Sequence, residues 1–225
     1  MRFSKEEMNK ASKTIRAYLK KNNKYPASVT MTEMDTKKSK KLSKKQYMGL
    51  FEAENVFRIK KGRQPNYVTL VGTASNPLVI DYQDWSMSCC PTSLSMCSQM
   101  LFNYKSEAQC RTALGTDKKA GTSPSQLVSG AKKLGFKVTP VKRTAANIKA
   151  ALAKKKPLII HLETKPATCL GYAKNYGHYV CGYALTKDGK IKIADPTKGL
   201  KTCSISTIVK ATNGRDLKFY IVELA

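Results

Sequence analysis

Histidine is nearly absent from this chain. Its 225 residues hold two, His161 and His178, which excludes a histidine-rich metal centre. Any imidazole chemistry must run through one of these two positions. Acidic side chains are also scarce: 15 Asp and Glu stand against 41 Lys and Arg, for a net charge of +26. That imbalance calls for an anionic partner or surface. The basic residues are not concentrated, since 1–77 carry 18 basic and 6 acidic side chains and the remainder 23 and 9. No basic stripe is interleaved with aromatics and no nucleic-acid motif is present, so a specific nucleic-acid partner is not expected. A solvated lysine-rich surface and an anionic polymer ligand fit the charge equally well. No apolar run reaches the ~20 residues of a membrane-spanning helix. The N-terminus, MRFSKEEMNKASKTIRAYLKK, lacks the apolar core of a signal peptide, so synthesis in the cytoplasm is expected. The seven cysteines are odd in number and show no zinc-like spacing. Without an export signal, free thiols rather than a disulfide framework are expected.

What the chain does have is the stretch Asp81 to Leu101, DYQDWSMSCCPTSLSMCSQML. Pro91 suits a first helical turn. Leu94, Cys97 and Leu101 then recur at helical spacing, with Met100 beside them, which predicts an amphipathic helix. Cys89 and Cys90 fall at its N-terminus, where unpaired N–H groups and the positive dipole end favour a thiolate. Against this, a free cysteine most often serves as a small buried hydrophobe. Gln83 lies six residues ahead of Cys89, an offset that favours Cys89 over its rival Cys90. Cys97 lies inside the helix. Cys110, Cys169, Cys181 and Cys203 lack the helix-start setting and are expected to be packing residues.

A nucleophilic cysteine needs a base and a group that orients it. His178 opens the strand HYVCGYAL, and Asp195 ends the next strand, KIKIADP, beyond an Asp188-Gly189 turn. An ideal turn there sets Asp195 opposite Gly182, roughly 13 Å along the strand from His178. A bulge or a shifted register must close that gap. His161, near Glu163, is the rival base, and Asp188 in the exposed turn is the rival orienting group.

Taken in order, residues 1–21 read as a helix with Ala11, Ile15, Tyr18 and Leu19 on one face, stopped at Asn22 and Asn23. KYPASVTM is extended, and a basic loop follows. Ser43 can cap a second helix carrying Tyr47, Leu50, Phe51, Val56 and Phe57. Residues 18–31 align without gaps on 57–70, matching Pro26 with Pro65, Val29 with Val68 and Thr30 with Thr69. The 39-residue spacing suggests an internal repeat. VGTASNPLVI reads as a linker, which places a boundary near residue 75 and domains at 1–75 and 76–225. Residues 104–124 read as irregular. Ser123 and Thr144 cap further helices. FKVTPV, LIIHLET, GHYVCGYALT, KIKIADP and LKFYIVEL read as strands. Helices followed by antiparallel strands define an α+β fold.

Gln83, C-x-P-T-S-L-S-M from Cys89, Gly177-His178-Tyr179-Val180 and Ala194-Asp195-Pro196 together resemble the papain-like domain that trims bacteriocin leaders in ABC transporters. The resemblance covers about 76–225. Where that family usually has Gly after the nucleophile, this chain has Cys90. The P-x-x-V-T segments of 1–72, best preserved in QPNYVTLVG, resemble a pseudomurein-binding repeat. The combination is similar to pseudomurein endoisopeptidases, lytic enzymes of viruses and proviruses of methanogenic archaea. It implies a papain-like domain of helices packed on an antiparallel sheet, behind a small, mainly helical wall-binding domain. It also implies hydrolysis of the Ala–ε-Lys isopeptide cross-link and methanogen lysis, through a Cys89–His178–Asp195 triad with Gln83 as oxyanion donor. Synthesis in a host cytoplasm, action on the cell wall, reducing conditions and a divalent cation such as Ca2+ are further implications. A monomer is the expected state. The anionic pseudomurein polymer would suit the +26 charge.

Two other classes compete. One is a wall-binding protein with a degenerate, inactive peptidase fold. The other is a basic nucleic-acid-binding protein, whose DNA affinity would fall steeply with salt and survive loss of Cys89.

Overall fold

A computed structural model describes residues 1–214 and 218–225. The chain divides into two compact units. Unit 1 comprises Met1–Val79 with Ser98–Ser106, and unit 2 comprises Ile80–Cys97 with Glu107–Ala225.

Unit 1 is a doubled strand–helix–strand module. β1 (Arg2–Ser4), α1 (Lys5–Asn22) and β2 (Ser28–Thr32) form one copy. β3 (Ser39–Ser43), α2 (Lys44–Lys61) and β4 (Tyr67–Thr69) form the other. Both helix boundaries of the second copy lie 39 residues after those of the first. The local chemistry repeats as well. Ser4 Oγ accepts from Glu7 N at one helix start, and Gln46 Oε1 accepts from Ser43 N at the other. Asn23 (φ 50°) and Gly62 (φ 68°) end the helices in the left-handed region, each N–H returning to a carbonyl four residues back. The copies exchange strands. β1 pairs with β4, setting Phe3 across from Val68, and β2 pairs with β3, setting Val29 across from Leu42. The basic stretch read as loop therefore contains β3, in which Lys40 and Lys41 lead into a buried Leu42. The buried face of α2 runs from Tyr47 through Leu50 and Phe51 to Glu54 and Asn55, whereas Val56 is exposed. Gly49 admits a close approach, because a Cβ there would lie 2.5 Å from the Gly72 carbonyl oxygen. Phe102, from the second segment of unit 1, fills the interior with its ring edge-on to those of Tyr25 and Phe51.

Unit 2 opens with α3 (Cys89–Met100) as far as Cys97, followed by α4 (Glu107–Leu114) and α5 (Pro124–Lys133). β5 (Phe136–Val141), α6 (Ala145–Ala153), β6 (Leu158–Glu163), β7 (Gly177–Leu185), β8 (Ile191–Asp195), β9 (Gly199–Cys203), α7 (Ile205–Ala211) and β10 (Phe219–Leu224) follow. The sheet is antiparallel throughout, in the order β5-β10-β6-β7-β8-β9. One of its faces packs Ile160, Leu162, Val180 and Phe219 against Ile148 and Leu152 of α6 and Ile205 and Ile208 of α7. Each such side chain contributes roughly 1.5–3 kcal/mol by leaving water. Cys181, one residue on from Val180, points the other way and meets Cys97 of α3, sulfur to sulfur at 3.5 Å. This is the expected α+β class, a sheet with helices packed on it. The final strand was expected from Leu217, a residue that lies outside those described.

Three expectations are corrected here. The segment 104–124 is not wholly irregular, since it contains α4, which buries Cys110 and Leu114. α3 is not amphipathic: every residue from Cys90 to Met100 is buried. Its hydroxyls are accommodated because they are bonded, Thr92 to Ser88 O, Ser93 to Tyr179 O and Ser95 to Asp81. Finally, Cys169 and Cys203 are not free packing thiols but a disulfide. Residues far apart in sequence meet because the 3₁₀ turn Thr168–Leu170 lies against β9.

Candidate active site

Cys89 is the first residue of α3 and is half-buried, while Cys90 is wholly buried. Burial pushes the Cys90 thiol up, well above its ordinary value, despite a hydrogen bond with Thr122. Cys89 instead lies close enough to His178 to raise that imidazole.

His178 lies near the start of β7, and Asp195 closes β8. The gap foreseen between them is removed by two shifts of register. The turn from Thr186 to Lys190 is longer than an ideal two-residue hairpin, which sets Leu185 across from Ile191. A bulge between Gly182 and Ala184 then takes up one further residue, so that Cys181 faces Ala194. Continuing that register sets Asp195 across from Val180, two residues from His178 on the same face. The imidazole spans the rest: His178 Nε2 lies 3.0 Å from Asp195 Oδ1. With Nε2 held by the carboxylate, Nδ1 is the nitrogen left for Cys89.

The electrostatics follow. Burial alone would lower His178, but the hydrogen bond with Asp195 and the neighbouring Cys89 outweigh it and push the imidazole up to about 9. Asp195 is fully buried, which by itself would raise it. Its bond with His178, backed by Thr197 N at 2.8 Å and the Tyr172 hydroxyl, holds it below the usual carboxylate range. The Asp195-Pro196-Thr197 sequence is an Asx-type turn, a signal that was available in the chain. Tyr172 had no such signal. Its hydroxyl donates to Asp195 at 2.9 Å and lies 3.1 Å from His178 Nε2. It sits three residues after Cys169, so the disulfide to Cys203 of β9 ties down the segment that carries it.

Gln83 is placed beside this group by its N–H, which donates to Pro196 O at 3.0 Å. Its side-chain oxygen accepts from Thr197 Oγ1 at 3.1 Å. Its Nε2 donates to the carbonyls of Trp85 and Ser86 at 2.8 and 2.9 Å. The rivals stand elsewhere. His161 stacks on Tyr179 with ring centroids 4.0 Å apart, and its Nδ1 is buried with no partner among the described residues. Burial, with the charge of His178 adding, lowers it to about 4. Asp188 is bound to Lys190 in the exposed turn. Among the described residues, no three His, Cys, Asp or Glu side chains gather as a metal site. The nearest carboxylates to Cys89 in sequence are engaged otherwise: Asp84 and Glu107 pair with Arg111, and Asp81 accepts from Ser95. Among the described residues, these carboxylates offer no ready-made ligand set for a divalent cation.

A thiol at a helix start, paired with an imidazole on an antiparallel sheet, is the arrangement of a papain-like cysteine peptidase. The chain belongs to the peptidase C39 family, whose model matches residues 77–212. Among solved structures, it is similar to a double glycine motif protease from an AMS/PCAT transporter in complex with the leader peptide. That likeness has 17% identity and a TM-score of 0.51, covering 66% of this chain and 92% of that one. It is also similar to the peptidase domain of Streptococcus ComA, a bifunctional ABC transporter involved in quorum sensing. There the identity is 20% and the TM-score 0.51, covering 65% of this chain and 98% of that one. Among curated proteins none matches the chain. Among the described residues, no helix is long and apolar enough to cross a membrane.

Proposed function

We propose that this cysteine peptidase is a lytic endopeptidase that hydrolyses the Ala–ε-Lys isopeptide cross-link of archaeal pseudomurein. Unit 1 holds the anionic polymer and raises the local concentration of scissile bonds. Cys89 Sγ attacks the Ala carbonyl carbon with the thiol proton already held on the His178 imidazole. The oxyanion is met by the Cys89 backbone N–H and by Gln83, whose Nε2 exchanges one of its two carbonyl partners for it. The C–N bond breaks as His178 returns the proton to the Lys ε-amine. Water, deprotonated by His178, then cleaves the thioester and restores the thiol. Asp195 holds the imidazole orientation throughout.

The observation that carries this reading is the union of the Cys89–His178–Asp195 constellation with a doubled, lysine-rich module that no catalytic step requires. The test is release of Lys ε-amines from purified pseudomurein under reducing conditions. Native protein should release them, Cys89→Ala should not, and Cys90→Ala should lose far less. Release by Cys89→Ala sinks the assignment of the nucleophile. The likeness to leader peptidases supports a second reading, cleavage after a double-glycine motif. A double-glycine peptide cut in preference to pseudomurein would establish that reading instead.

A further inference from the structure

The two copies in unit 1 differ at one informative place. At the 39-residue spacing, Ile15 and Leu19 of α1 correspond to Glu54 and Arg58 of α2. Ile15 is 0% exposed and Leu19 5%; Glu54, a carboxylate, is 3% exposed. A carboxylate at a depth that the sister copy fills with isoleucine costs stability even when paired. Its retention points to use.

Glu54 Oε1 accepts from Arg58 Nη2 at 2.7 Å and from Gln64 Nε2 at 2.7 Å, and Gln64 also donates to Asn9 Oδ1 at 2.9 Å. These groups line a cavity of about 310 Å³. The lining also includes Arg16, which donates through Nη1 to Asn103 Oδ1 at 2.8 Å. Among the described residues, Arg16 has no carboxylate partner, and its Nε and Nη2 make no hydrogen bond. Burial lowers this guanidinium, and no acid offsets the effect. With Lys13, the lining holds three cations against one carboxylate, and that carboxylate is already taken by Arg58. Phe51 and Phe102 add apolar surface. The free Nε/Nη2 edge is a planar fork that matches a carboxylate through two parallel bonds. The volume is at the lower end of ligand cavities, about 300–1,000 Å³, which suits one ring-sized group rather than a polymer segment.

We propose that this cavity binds a single carboxylate-bearing sugar unit, with Arg16 on the carboxylate and the Asn9, Gln64 and Glu54 groups on its hydroxyls. The proposal rests on the reading of unit 1 as the wall-binding module. The test uses full-length Cys89→Ala protein titrated with methyl β-D-glucuronide and with methyl β-D-glucoside, followed by NMR. The glucuronide should give saturable shifts confined to the cavity, and the glucoside should bind roughly tenfold or more weakly. Arg16→Gln should weaken the glucuronide roughly tenfold or more at unchanged melting temperature, and should weaken sedimentation with walls. In a Cys89-containing background it should cleave a soluble peptide substrate normally. Equal binding of the two sugars, absence of glucuronide binding, or glucuronide binding unaffected by Arg16→Gln overturns the proposal. Walls that bind native protein while glucuronide does not would reject the cavity and leave the module reading standing. Glucuronide binding without wall binding would do the reverse.

Discussion

The two histidines should titrate far apart, and Asp195→Asn should bring them closer. His178 is held up at about 9 and His161 down at about 4, from a common ordinary value of 6.5. The upward shift of His178, which is only 3% exposed, corresponds to about 3 kcal/mol favouring its protonated form in the folded chain. Below pH 6.5 both folded and unfolded chains protonate this residue, and the full contribution is present. Between 6.5 and 9 the unfolded chain releases the proton first, and the contribution declines; above 9 it is gone. Asp195, held low, adds stability that is lost as pH falls through the acid range below ~4. The native chain should therefore exceed Asp195→Asn in stability most between about pH 4 and 6.5, with the margin shrinking by about 3 kcal/mol toward pH 9. Having two imidazoles makes the assay direct. Two Hε1–Cε1 cross-peaks followed over pH should titrate well apart in the native protein. In Asp195→Asn the upper one should fall, because the pull of the carboxylate is lost while burial stays. Two native titrations near 6.5, or an upper one unmoved by the substitution, would refute the electrostatic account.

Other consequences are as specific. Tyr172→Phe deletes hydroxyl bonds to a buried carboxylate and should lower stability by about 1–2 kcal/mol in denaturant titration, with kcat reduced more than KM is raised. Denatured but unreduced protein should yield five titratable thiols of its seven cysteines. Reducing Cys169–Cys203, which closes a 34-residue separation, should destabilise unit 2 by about 4 kcal/mol in the loop-entropy account, so thermal melts with and without reductant should differ. Gly49→Ala forces a Cβ onto the Gly72 carbonyl and should destabilise by about 1–3 kcal/mol, while cleavage of a soluble peptide by the folded protein persists.

Local signals carried much of this architecture into the sequence. Ser123 and Thr144 cap helices because their hydroxyls accept from Gln126 N and Asn147 N, a purely local matter. Leu158-Ile159-Ile160 read as a strand because both faces of its sheet are covered. The short elements were not legible. β3 is lysine-rich, and α4 and β9 are brief and polar, so their stability comes from the partners they pack against rather than from their own pattern. In the site, Cys89 and His178 stood out by position, and the need for a bulge could be stated in advance. Where the bulge falls, at Gly182/Ala184, could not, because register is decided across strands. Tyr172 and the Cys169–Cys203 bond were invisible for the same reason. Each is defined by a meeting of segments that the linear pattern does not announce.

The strand exchange in unit 1 bears on how the chain comes to be folded. β1 finds its partner only when residues 67–69 have been made, although α1 is complete forty-odd residues earlier. During synthesis the first helix must therefore wait with one flanking strand unpaired, and neither copy can close its own sheet by itself. A gene fragment encoding one copy would leave two strand edges open, and such edges join the nearest complementary edge, here that of an identical fragment. Excised singly, the repeat should thus recover its fold only by pairing with a second molecule, two chains supplying what one chain holds in tandem.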